Sequence, residues 1–151
     1  MTSLPRLAFT AVLFSVLFCG LRAEDSPFVL PAGAPLATLA LPKGLELRNV
    51  SLAVSKALMD EGWENLGWEG NVTTATTKAS RVNIKVFALA SAADVKLYAQ
   101  YSSSSSVAAD KCRQISVREL RSLGKTIATK LNLSFRKAKT DGGVDQAVAD
   151  E

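Results

Sequence analysis

Val82-Asn83-Ile84-Lys85-Val86-Phe87-Ala88 is the stretch on which the fold turns. Val82, Ile84, Val86 and Ala88 fall at every second position, with Asn83 and Lys85 between them. A period of two sends alternate side chains to opposite faces of a strand. After a turn at Ser91 to Asp94 the pattern returns: Val95, Leu97, Ala99 and Tyr101 face in, and Lys96, Tyr98 and Gln100 face out. Upstream, Val72, Thr74 and Thr76 alternate with Thr73, Ala75 and Thr77, a β-branched run that suits a pleated surface. Trp63 to Trp68 reads as a shorter strand closed by Gly70-Asn71, and Ala79-Ser80-Arg81 as the next turn. Connections this short join antiparallel neighbours, because parallel strands need a long crossover.

Outside this meander the period changes. Val50, Ala53, Val54, Ala57 and Leu58 recur at spacings of three and four, which predicts a helix over 48–61. Asn49 is placed to cap its start and Gly62 to stop it. Downstream, Ser116-Val117-Arg118-Glu119 has the form of a capping box, with Ile115 and Leu120 as its apolar staple. Val117, Leu120, Leu123, Gly124, Ile127 and Leu131 then make one apolar face of a second helix. Ser102 to Ser106 reads as a solvated loop. The order helix, meander, helix implies an α+β two-layer sandwich. An antiparallel sheet of three to four strands carries both helices on one face and turns the other to solvent.

Ala57-Leu58-Met59-Asp60-Glu61-Gly62-Trp63 gives the chain a family likeness. It resembles a group of small, uncharacterised bacterial exported proteins, many of them lipoproteins. These carry an A-L-x-x-x-G-W segment before a three-stranded meander and a C-terminal helix. The resemblance spans roughly residues 50–131. It implies the same α-β-β-β-α order and an envelope location, and it brings no activity with it.

The two ends of the chain set its context. Arg6, the apolar run Leu7 to Phe18, and Leu21-Arg22-Ala23 before Glu24-Asp25 have the order of a secretory signal peptide over 1–23. Cys19-Gly20 offers an alternative, lipidation of Cys19, although bulky Phe18 precedes it where a small residue is usual. Residues 24–46, with Pro27, Pro31, Pro35 and Pro42, read as an extended arm. The domain is expected over 47–134 and a disordered tail over 135–151.

Composition excludes some chemistry. The 151 residues include no histidine, which removes histidine-based triads and imidazole metal sites. Cys112 is the one thiol left beyond the leader, so no internal disulfide is expected there. Buried and inert is its ordinary condition. Charge is polarised along the chain. Acidic residues dominate 24–70, while 111–139 is strongly basic.

Candidate sites follow from that layout. Arg118, Arg121 and Lys125, with Lys130, give the last helix a basic side, preceded by Lys111 and Arg113. Such a side suits an anionic membrane surface or an acidic envelope protein. Lys85, Lys96 and Tyr98 would stand on the open sheet face. Trp63 and Trp68 have opposite strand parity, and a bulge at Gly67 would bring both to one side as an aromatic platform for a glycan or peptide, against the ordinary role of a tryptophan in a core. Asp60, Glu61, Glu64 and Glu69 are expected to form a solvated acidic face. The residues call for no cofactor, no metal and no catalytic set, and an exported chain has no nucleic acid to meet. The expectation is a non-enzymatic cell-envelope accessory protein, periplasmic, secreted or membrane-anchored, that works by binding. A secreted inhibitor or glycan- or peptide-binding module using the Trp hairpin is the alternative.

Overall fold

A computed structural model describes residues 28–103, 106–140 and 143–150. The expected signal segment, Cys19 included, lies outside them. The fold is α+β, with two helices and a seven-stranded, mostly antiparallel sheet. In chain order the elements are β1 (Ala37–Ala40), α1 (Leu47–Asp60), β2 (Glu64–Glu69), β3 (Val72–Ala79), β4 (Val82–Ala90), β5 (Asp94–Ser103), α2 (Ala109–Lys130), β6 (Ser134–Arg136) and β7 (Asp145–Val148).

The expected meander is β2-β3-β4-β5, and it forms one half of the sheet. The sheet then continues through segments that the sequence did not mark as strands. β1, from the proline-rich arm, pairs antiparallel with β5, and β7 pairs parallel with β1. β6 closes the far edge against β7. The arm is therefore a working strand in part, and residues 135–151 are not simply a disordered tail. Ser102 and Ser103, expected in a loop, belong to β5, opposite Asn83 and Val82.

Both helices pack on one face of the sheet. α1 covers β2 to β4, and α2 covers β1 and β4 to β7. Val82, Ile84, Val86, Ala88 and Ala90 of β4 meet Val50, Val54 and Leu58 of α1 and Leu120, Leu123 and Ile127 of α2 in one buried cluster. At about 25 cal/mol per Å² of apolar surface removed from water, this shared core is the main source of stability.

The ends of the helices show why these boundaries hold. Gly62 (φ 76°) follows α1 in the left-handed region. Trp63 N–H donates to Leu58 O at 2.9 Å and Gly62 N–H to Met59 O at 3.1 Å, the two bonds of a Schellman motif. α2 ends in the same way. Asn132 (φ 57°) takes the glycine's place, with Leu133 N–H on Ala128 O at 2.9 Å and Asn132 N–H on Thr129 O at 3.0 Å. The helix starts differ from expectation. α1 begins at Leu47 after Glu46, with no side-chain cap, and Asn49 lies inside its first turn. α2 begins at Ala109, two turns before the proposed capping box. Ser116 is fully buried in the helix and donates to Cys112 O at 2.8 Å. Cys112 and Ile115 carry the apolar stripe upstream, and burying them outweighs the local signal at Ser116.

The second face of the sheet is not open to solvent throughout. Phe87 is 1% exposed yet points away from the helices, between Val86 and Ala88 of the core. It pairs with Thr74, which pairs with Gly67. Phe28 lies against Gly67 on this same face, 3.3 Å from where a Cβ would stand. The arm then reaches β5, where Leu36 N–H donates to Leu97 O. Crossing from β2 to β1 takes about 19 Å at the usual strand spacing. The eight steps from Phe28 to Leu36 can span about 27 Å. The arm is long enough to lie across the face and cover Phe87.

Candidate cationic groove

α2 presents two rows of side chains at helical spacing, Arg113-Val117-Arg121-Lys125 and Gln114-Arg118-Ser122. Residues four apart stack on one face, so these rows form a strip about 18 Å long. Opposite it stand Leu36, just before β1, Phe135 of β6 and Lys137. Together they enclose a groove of about 710 Å³. Its lining has five cations (Arg113, Arg118, Arg121, Lys125 and Lys137) and an apolar set formed by Leu36, Val117 and Phe135.

The cations are not equivalent. Arg121, expected on the outer side of the helix, is largely buried. Its side chain is 15% exposed, with Nε 3.6 Å from Asp145 Oδ2. Asp145 faces α2 from β7, and its Oδ1 accepts the Ala138 N–H at 2.9 Å. This carboxylate therefore joins α2 to the β6–β7 hairpin and keeps Phe135 and Lys137 against the groove. Phe135 packs over Gly124 of α2, its ring 3.9 Å from where a Cβ would stand, an ordinary contact distance. Arg118 is exposed and shares its guanidinium with the adjacent Glu119 at 2.9 Å. Arg113, Lys125 and Lys137 are exposed and have no carboxylate partner among the described residues.

The other candidates lie elsewhere. Lys85, Lys96 and Tyr98 are on the far face of the sheet, so the structure does not bring them together with Arg118 and Lys125. Lys85 places Nζ 5.1 Å from the Phe87 ring centroid, Lys96 lies beside Asp94, and Tyr98 is half-buried opposite Phe87. A second hollow, of about 740 Å³, runs across the end of this sheet. Glu64, Lys78 and Lys85 line it together, so it carries no single sign of charge.

Trp63 is buried in the main core, and the two tryptophans make no shared platform. Trp68 is 58% exposed, but its Nε1–H is donated to Ser55 Oγ at 2.8 Å. Asp60, Glu64 and Glu69 are exposed, while Asp60 and the half-buried Glu61 also hold partners at the end of α1. Asp60 pairs with Lys130. Glu61 accepts from Ser122 and Thr126 through Oε1, and from Trp63 through Oε2. These bonds tie α1 to α2. Cys112 is free and buried. Among the described residues no group of three or more His, Cys, Asp or Glu is placed to hold a metal. No described helix is long and apolar enough to cross a membrane.

The basic residues of α2 were readable from the sequence. Leu36, Phe135, Lys137 and Asp145 were not, because they come from the segments read as arm and tail. Their only local signals are an isolated aromatic, Phe135, and the short apolar pair Ala147-Val148. No protein-family model matches this chain, and neither a curated protein nor a solved structure matches it.

Proposed function

We propose that this chain is a non-enzymatic, exported accessory protein of the cell envelope that binds an anionic partner in the groove beside α2. The observation that carries the reading is the convergence of Arg113, Arg118, Arg121, Lys125 and Lys137 on one concavity. Like charges gathered in a concave wall focus the potential and raise the local concentration of an anion. The volume lies within the usual range of about 300–1,000 Å³ for ligand sites. The lining supplies fixed cations and apolar side chains, which suits holding a ligand. The leader-like first 23 residues and the Ala57–Trp63 resemblance support export to the envelope.

The test is a photo-crosslinking residue placed at Gln114, which lines the groove and is exposed. Irradiated host cells should yield an adduct at this position, and the adduct should disappear in Arg113→Glu/Arg118→Glu/Lys125→Glu. A crosslinker at Glu69, on the opposite edge of the sheet, serves as the control. If Gln114 gives no adduct, or the adduct survives charge reversal, the groove is not the working surface.

A further inference from the structure

The groove has a division of labour that a bare anion site would not need. Arg113 and Lys125, without carboxylate partners among the described residues, mark its ends along α2, about 18 Å apart. Between them the helix offers Val117, and the opposite wall offers Phe135 and Leu36. All three are half-buried, so each keeps an apolar surface available in the groove. A wall of cations alone would favour a compact, strongly hydrated anion. An apolar strip between cationic ends favours a ligand whose charge sits at one end of a hydrocarbon body. The hydrocarbon removes apolar surface from water, while the head meets a guanidinium or ammonium in a charge-assisted hydrogen bond. A planar bilayer surface would reach the rims and leave the floor uncovered.

Building on the proposed anion-binding function, we infer that the ligand is a single-chain anionic amphiphile, a carboxylate or phosphate head on an aliphatic chain. The head is held by Arg113 or by Lys125, and the chain lies along Val117, Phe135 and Leu36. A fatty acid and a monoacyl phospholipid present the same chemistry.

Calorimetric titration of the whole protein tests this with four probes below their aggregation thresholds: dodecanoate, a dodecanoyl lysophosphatidate, dodecyltrimethylammonium and inorganic phosphate. Dodecanoate or the lysophosphatidate should bind at least tenfold more tightly than either control, and the tighter of the two identifies the source of the head. Arg113→Glu/Arg118→Glu/Lys125→Glu should weaken that binding at least tenfold, and Val117→Ser should weaken it about fivefold. Circular dichroism confirms that both variants are folded. If phosphate binds as tightly as dodecanoate, the amphiphile inference falls and the anion groove stands. If dodecyltrimethylammonium binds as tightly, charge is irrelevant and both readings fall. If none of the four binds, the amphiphile inference is wrong, and the crosslinking result alone decides the anion groove.

Discussion

Replacing Asp145 by alanine removes the carboxylate that fastens the C-terminal hairpin to α2. The side chain is 4% exposed, with Oδ2 3.6 Å from Arg121 Nε and Oδ1 2.9 Å from the Ala138 nitrogen. Truncation strips Ala138 N–H of a charged acceptor, a bond worth about 1.5–3 kcal/mol. It also leaves a mostly buried guanidinium without this counter-charge. Removing one partner of a fully buried pair costs about 3–5 kcal/mol. The two terms describe the same carboxylate and do not add. Arg121 keeps some contact with water, and 3.6 Å is a long ion pair. The lower end of the range therefore applies, about 3 kcal/mol. For a domain of this size that lowers Tm by about 10 °C. Urea unfolding followed through Trp63 fluorescence, with calorimetry beside it, reads both quantities. Asp145→Asn keeps an oxygen for Ala138 N–H and should lose about half as much. A double-mutant cycle with Arg121→Met should return a coupling above about 1 kcal/mol. If Asp145→Ala changes stability by less than about 0.5 kcal/mol, the hairpin is not held by this pair.

Three further substitutions probe separate features. Ser116→Ala should change stability by less than about 0.5 kcal/mol, because its hydroxyl only back-bonds to Cys112 O within the helix; a loss of about 1 kcal/mol in urea unfolding would instead mark a helix cap. Gly124→Ala should stabilise by about 0.5–1 kcal/mol, since the new methyl would meet Phe135 at an ordinary 3.9 Å; a fall in Tm would show that β6 packs closer than described. Phe28→Ala should cost about 2 kcal/mol, roughly half the value for a fully buried phenylalanine. It should also raise binding of a hydrophobic dye as Phe87 is uncovered, and unchanged dye fluorescence would mean that other groups cover Phe87.

The meander was readable because its information is local. In β4 and β5 the period of two is written by β-branched and apolar residues that need only their neighbours to be recognised. The end of α1 was readable for the same reason, since Gly62 is the residue a left-handed helix terminus favours. Long-range pairing has no such signature. β7 holds four residues and finds its place beside β1, more than a hundred positions earlier in the chain. Only Leu39↔Asp145 and Ala40↔Gln146 register the two strands, and neither pair forms a recognisable pattern in sequence. The start of α2 shows a local signal losing to packing. Ser116-x-x-Glu119 satisfies the capping rule, yet a small hydroxyl also fits a tightly buried helical position, and the core uses it there. Half of the candidate groove was therefore visible, as the basic rows of α2. The other wall depended on the hairpin and on the carboxylate that docks it.

The most direct test of the account is a backbone-amide NMR titration of the isotopically labelled protein with dodecanoate. The groove predicts chemical-shift changes concentrated at Leu36, along Arg113 to Lys125, and at Phe135 to Lys137, with affinity falling as salt rises. Changes centred on Lys85, Lys96 and Tyr98 or on Trp68, or no saturable change anywhere, would contradict it.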